Sequence, residues 1–240
     1  MPIVPRLASI AFIIALPVFL VTSNIRFFAG EAWFYEQGFR RHDADQATGL
    51  PFAELDRAAQ EIRDYFEDDA RFLAITVGRS GEPEPLFSEE EVLHMADVKD
   101  VMRVLFRVNE VALVIVLGIV AMRFLWASEG PLEALAWDAL KGLGAGLAVV
   151  AVIGVLAIAG FDSAWNQFHE LIFRNDFWQL DPDTDRLIQM FPETYWQESV
   201  LLIAALVVGQ GAVVAGLAGG YLYARRGGRN DANRAKSLDG

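Results

Sequence analysis

Two runs without a charged residue, LGAGLAVVAVIGVLAIAG at 143–160 and VLLIAALVVGQGAVVAGLAGGYLY at 200–223, constrain this chain more than anything else in it. A helix of ~20 residues matches the ~30 Å hydrocarbon thickness of a bilayer, so both runs read as membrane spans. Two more segments reach that length: LASIAFIIALPVFLVTS at 7–23 and VLFRVNEVALVIVLGIVAMRFLW at 104–126. The first reads as a span rather than a cleaved signal peptide. Arg6 alone supplies positive charge before it, its apolar run is long, and no small-x-small cleavage site follows. Pro17 is tolerated inside a membrane helix, where it is expected to kink the span. A hydrophobic content of 54% over 240 residues agrees, being too high for an ordinary soluble domain. The expected fold class is membrane all-α: a four-transmembrane-helix bundle with a small α+β extracytoplasmic domain.

Orientation follows from Arg225, Arg226, Arg229, Arg234 and Lys236, which crowd behind the fourth run. Positive residues beside a span mark the cytoplasmic side, so the C-terminus and, four spans back, the N-terminus are expected inside. The chain then divides into a first transmembrane helix (1–23), an extracytoplasmic domain (24–103), a second helix (104–126) and a cytoplasmic loop (127–142). A third helix (143–160), an extracytoplasmic lip (161–199), a fourth helix (200–223) and a basic cytoplasmic tail (224–240) complete it. Most of the formal net charge of −12 falls in the first outer segment. An acidic surface repels nucleic acid, which removes that class of partner. The absence of cysteine suits an extracytoplasmic setting and excludes a thiol nucleophile or a thiolate metal site.

Within 24–103, residues 32–39 (EAWFYEQG beginning one residue earlier, at Glu31) read as a strand. Phe52, Leu55, Ala58, Ala59, Ile62 and Phe66 recur at helical spacing behind Pro51, a favourable start. FLAITV at 72–77 reads as a strand, GRSGEP at 78–83 as a turn and PLF at 85–87 as a return strand. Ser88 and Glu91 have capping-box spacing, so a helix is expected to start there and run unbroken into the second span. The third span is likewise expected to continue past Asp162 to Phe173. Asp181-Pro182 would turn the chain back, and Pro192 would open the fourth helix. Phe177, Trp178, Phe191, Tyr195 and Trp196 are expected at headgroup level, where amphipathic rings are favoured.

The chain has three histidines, His42, His94 and His169, all in the outer segments. His94 and His169 ride on the helical extensions of spans two and three, at matched heights. A lone histidine is more often a structural hydrogen bonder than a catalyst; two such residues facing each other raise the alternative of proton transfer. Asp97, one helical turn after His94, is placed to orient it, although Asp97 and Lys99 also fit a solvated helix face. Arg107, Asn109 and Glu110 lie just inside the second span, where ionisable groups face the bundle interior or a wet cavity. Arg107 and Glu110 are also spaced to neutralise each other. Asp176 with Asp97 and the two histidines has the ligand types of a metal site, but no tight ligand spacing such as H-E-x-x-H is present, and no metal or cofactor is expected. Neither a phosphate-binding loop nor a G-x-S-x-G elbow occurs. Gly146 and Gly154, and the series Gly211, Ala215, Gly219, have the small-residue spacing of helix packing.

HMADVKDVM (94–102) and FHELIFRNDFWQLDPDTDRLIQMFPETYW (168–196) resemble a bacterial family of four-span membrane proteins that includes the lipoprotein intramolecular transacylase. The resemblance implies a plasma-membrane enzyme with its active face extracytoplasmic and His94 and His169 as the catalytic pair. It implies diacylglyceryl-modified lipoproteins as partners, with membrane lipid around the site. The implied reaction moves an acyl chain from the sn-2 glyceryl ester to the α-amine of the same lipoprotein's N-terminal cysteine. Both reacting groups belong to the substrate, so no enzyme nucleophile is needed; two imidazoles suit the proton exchange. His169 is favoured as the base, although the sequence does not separate the two roles. Arg174, Asn175 and Trp178 are candidate donors to the oxyanion, and Asp97, Lys99, Asp176, Arg107 and Glu110 candidate supporting or substrate-binding groups. Two other classes stay open: a non-catalytic membrane protein whose acidic outer domain binds another envelope protein, and a metal-dependent membrane hydrolase. Oligomeric state is not legible.

Overall fold

A computed structural model describes residues 3–79, 82–126 and 131–238. Four helices are long and apolar enough to cross a membrane: α1 (Ile3–Ala29), α5 (Glu89–Trp126), α6 (Pro131–Ala159) and α9 (Glu193–Leu238). The chain forms two compact units, and these four helices contribute to both.

The first unit comprises residues 1–22, 108–152 and 204–240. Phe12, Leu16, Ile119, Leu135 and Ala139 form its core, while Ile14, Val114, Val149 and Leu217 are exposed, as expected of helices solvated by lipid. Among the described residues, the buried polar side chains here are paired. Arg123 donates to Asp138 Oδ2 at 2.7 Å and to Ser9 Oγ at 2.6 Å, and Asn109 Nδ2 donates to Thr22 Oγ1 at 3.1 Å. Close approach of α1 and α6 rests on two glycines. A Cβ on Gly142 would lie 2.7 Å from the Ile13 carbonyl oxygen, and one on Gly146 would lie 2.6 Å from Pro17 Cβ. Gly146 therefore packs as its spacing suggests, whereas Gly154 and Gly219 face open space. The expected loop 127–142 is corrected from residue 131 on, because Leu135, Ala136 and Ala139 form a buried helical stripe behind Pro131. The expected tail also begins as helix: α9 runs on to Leu238.

The second unit comprises residues 23–107 and 153–203. It contains α2 (Ala32–Arg41), α3 (Ala44–Thr48), α4 (Phe52–Glu67), α7 (Phe161–Ile172), α8 (Arg186–Met190) and a hairpin of β1 (Thr76–Arg79) with β2 (Glu82–Pro85). Phe39, Leu55, Ala58, Ile62, Val77 and Met190 lie at the centre of its core. α4 buries the face its periodicity predicts. Residues 32–39 are helix, not strand: Tyr35, Gly38 and Phe39 are the buried positions, a spacing that turns one helical face inward and overrides the strand preference of the aromatics. Gly38 is needed there, since the Tyr195 ring occupies the place of a Cβ.

The hairpin is shifted from its expected place. Leu73, Ile75 and Val77 alternate inward from 73, yet the ladder covers Thr76↔Pro85 to Arg79↔Glu82. Pro83 and Pro85 have no N–H to donate and keep it short. Leu86 and Phe87, expected in the return strand, are buried in the core; of the turn expected at 78–83, residues 78–79 and 82–83 belong to the two strands instead, and 80–81 lie outside the described residues. The capping box forms: Ser88 N donates to Glu91 Oε2 at 2.7 Å, and Glu91 N donates to Ser88 Oγ at 3.3 Å. Glu91 Oε1 also accepts from Leu187 N at 2.5 Å, fastening α8 to the start of α5. The third span does not continue to Phe173. α6 ends at Ala159, and after Gly160 a separate α7 begins, with Asp162 in its first turn favouring a new helix start. Phe191 and Tyr195, expected among the lip aromatics, are core residues, 7% and 3% exposed.

Candidate active site

His94 projects from α5, and His169 from the last turn of α7. Their ring centroids are 5.9 Å apart, and each residue is 7% exposed. Phe173 packs edge-on against His94 at 5.1 Å and lies tilted against His169 at 5.5 Å, bridging the two. Around His169 stand Trp165 at 4.6 Å, Phe168 at 5.3 Å and Trp178 at 5.1 Å. Both imidazoles thus sit in a largely aromatic setting that disfavours charge, and burial together with the neighbouring His169 pushes the His94 pKa down to about 4, so the pair is neutral at pH 7.

The tautomer of His169 follows from its partner. Nδ1 lies 2.8 Å from the Trp165 carbonyl oxygen, one helical turn back. A carbonyl only accepts, so Nδ1 carries the hydrogen, and in the neutral ring the lone pair is on Nε2. Burial holds the His169 pKa below the usual imidazole value, with the Trp165 hydrogen bond partly opposing it. His169 is therefore neutral at pH 7, with Nε2 ready to take a proton. Among the described residues, His94 Nδ1 is buried without a hydrogen-bond partner. A buried polar atom left open in this way suits a partner that arrives with substrate.

Asp97 is bound to Asn175: Asn175 Nδ2 donates to Asp97 Oδ2 at 2.8 Å, and Asn175 Oδ1 accepts from Phe177 N at 3.2 Å. The contact ties the chain after α7 to α5, one turn beyond His94, so Asn175 acts as a clamp and has one N–H committed rather than aimed at an oxyanion. Trp178 belongs to the site, against His169; Arg174 is exposed in the same segment. Asp176 is exposed and engaged with Gln179, so the two carboxylates considered for a metal are turned to other partners.

Lys99 is neither a site group nor part of a solvated face. It is 1% exposed, donates to Asp68 Oδ1 and the Ala70 carbonyl at 2.6 Å each, and lies 3.9 Å over the Tyr65 ring. Arg107 is exposed on α5, and at ~1.5 Å per residue lies roughly 20 Å along the helix from His94, too far to act with it. Glu110 belongs to the other unit, as an exposed carboxylate of α5. His42 pairs with Thr194 Oγ1 at 3.1 Å and lies 3.5 Å from Glu198 Oε2, in a cluster of its own. The sequence reading missed Trp165 and Phe173. Trp165 was available as the residue four before a helical histidine; the double contact of Phe173 depends on how the chain leaves α7 and has no local signal.

Comparison with known proteins adds a family. A model described as "Lipoprotein intramolecular transacylase Lit" matches residues 10–196. The in meso structure of the membrane-integral lipoprotein intramolecular transacylase Lit from Bacillus cereus superposes with a TM-score of 0.74 at 17% identity, covering 92% of this chain and 97% of that one. A variant of that protein with a histidine replaced by alanine gives 0.70 over 92% and 94%. An uncharacterised protein of Aquifex aeolicus (strain VF5) is 24% identical over 121 residues, half of each chain. The structural match establishes a shared fold, and the chain spans about half the length of the curated relative it matches.

Proposed function

This chain belongs to the lipoprotein intramolecular transacylase family, and on that premise we propose that it transfers an acyl chain within a bacterial lipoprotein, from the sn-2 glyceryl ester to the α-amine of the N-terminal cysteine. The observation that carries this reading is the pair of imidazoles, His94 and His169, brought within 5.9 Å from two separate helices.

Ester and amine lie on one molecule. The amine attacks the ester carbonyl carbon, the C–N bond forms, and the bond to the glyceryl oxygen breaks. The proton lost by nitrogen ends on that oxygen, so amide plus alcohol balance ester plus amine. An α-amine with pKa ~7.7–8.0 costs about 1 kcal/mol to present neutral at pH 7. The larger demand is geometric, and holding amine and carbonyl in attacking position is worth roughly 7–11 kcal/mol. His169 Nε2 takes the proton from nitrogen, and the imidazole pair returns it to the leaving oxygen, with the open Nδ1 of His94 sharing in the transfer. Trp178 and Arg174 are the candidate donors to the transient oxyanion. Asn175 and Asp97 hold the two histidine-bearing segments together. The site faces the extracytoplasmic side of the plasma membrane in this reading, with both termini inside, because basic residues follow the fourth apolar run.

The test is expression in a bacterial host lacking its own enzyme, with lipoprotein N-termini read by mass spectrometry. The unaltered chain yields lyso-form lipoproteins, and His94→Ala or His169→Ala lowers their amount by roughly 10²–10⁴-fold, the usual weight of acid–base catalysis. Lyso-form production undiminished in both variants would end the proposal.

A further inference from the structure

The break at Gly160 leaves α7 with a surface that the reaction does not explain. Its apolar residues Phe161, Ala164, Trp165, Phe168, Leu171 and Ile172 follow the spacing of one helical face, while Asp162, Ser163, Asn166, Gln167 and Glu170 take the other. Phe161 is buried and Trp165 half-buried, yet Phe168 is 41%, Leu171 84% and Ile172 41% exposed. So part of the apolar face packs inward and the rest has nothing of this chain over it among the described residues.

We propose that α7 is an interfacial helix, its Phe168–Leu171–Ile172 edge sunk among the acyl chains of the bilayer and its polar face at headgroup level. Three features argue for lipid as the occupant. First, the surface is continuous with a span: the last turns of α6, in the same unit, expose Val155, Leu156 and Ile158, and a single residue, Gly160, separates α6 from α7. Second, a short amphipathic helix of this pattern lies in the membrane plane instead of crossing it; α7 has 12 residues, too few to span. Third, the rings at its inner side are those favoured at the headgroup zone: Trp165 stacks on Trp196 at 5.2 Å. Where α1 ends in the same unit, exposed Phe27 and Trp33 mark a second span end in the same way. His169 lies on the border between the two faces of α7. Taken with the proposed transacylation, on which this consequence rests, the helix would hold the reactive imidazole at the depth of a glyceryl ester, so that the substrate reacts without leaving its leaflet.

The chain has no cysteine, so single cysteines can carry nitroxide labels without further change. Full-length protein bearing Leu171→Cys, Phe168→Cys, Asn166→Cys or Glu170→Cys would be labelled and placed in phosphatidylethanolamine–phosphatidylglycerol vesicles. Accessibility to oxygen and to a water-soluble nickel chelate is then read by power saturation. The expected result is an oxygen-to-nickel ratio at 168 and 171 severalfold above that at 166 and 170. Equal ratios at all four positions would overturn the inference in favour of a helix in water. Shielding of 168 and 171 from both reagents would overturn it in favour of a protein partner or a second copy. The readout needs no turnover, so it can succeed where the transacylase reading fails, and the reverse.

Discussion

At His169, the nitrogen facing the Trp165 carbonyl must carry a hydrogen, which leaves Nε2 as the atom able to accept one. The same burial that shapes the site lowers the ring's pKa, and the sign of that shift makes a testable profile. A base works when deprotonated, so beyond the fall that protonation of the substrate amine causes below ~8, kcat/KM falls a second time as pH drops through the His169 value, which lies below ~6.5. Phe173→Ala removes a ring that packs against both imidazoles and lets water reach them. The acid limb should then move to higher pH, towards ~6.5, in a pH–rate profile of the purified protein; an unmoved limb would separate this group from the rate. Lys99 and Asp68 give the second prediction at this scale. Lys99 holds the Asp68 carboxyl below its usual pKa, so this pair's contribution to stability is present above the unfolded value of ~3.9 and is lost as pH falls through the folded one. Asp68→Asn leaves a buried ammonium short of its charged partner and should destabilise the fold by about 1–3 kcal/mol at pH 7, read as a lowered Tm in detergent. His94 and His169 were legible as candidates from their place near the spans. The Trp165 bond and the Asn175 clamp were not, because each depends on where α7 begins and ends.

Helices were read well wherever burial is one-sided and long. The capping box at Ser88–Glu91 and the stripe of α4 have local causes, hydrogen bonds and apolar spacing within one turn or two, and both form as expected. Residues 32–39 were misread because Trp33, Phe34 and Tyr35 favour strands by propensity, while the choice was made by Tyr195 packing over Gly38 in tertiary contact. The break between α6 and α7 falls where hydropathy alone sees one continuous helix. Glycine spacing was informative only in part: Gly146 meets Pro17, Gly154 meets nothing, and Gly142 was passed over. The difference is measurable. Gly142→Ala would press a methyl group on the Ile13 backbone and should cost about 1–3 kcal/mol. Gly154→Ala, into open space, should be neutral or slightly stabilising. Thermal unfolding of the two variants side by side checks this; equal effects would contradict the close α1–α6 contact.

Across the molecule, four apolar helices and a family match over residues 10–196 establish a membrane protein of the transacylase family. The fold carries paired buried polar groups in its first unit and, in the second, an aromatic-lined imidazole pair. In the proposed reaction, the apolar helices would retain the protein where a lipid-anchored substrate resides, and the histidine pair would move the protons. The central claim is that the two histidines act as one device. Its most direct measurement is single-turnover conversion of a diacylglyceryl lipoprotein by purified protein in vesicles, comparing the unaltered chain, His94→Ala, His169→Ala and the double variant. Residues acting as a unit are strongly non-additive, so each single change should cost roughly as much as both together. Full-rate conversion by either single variant would contradict the account.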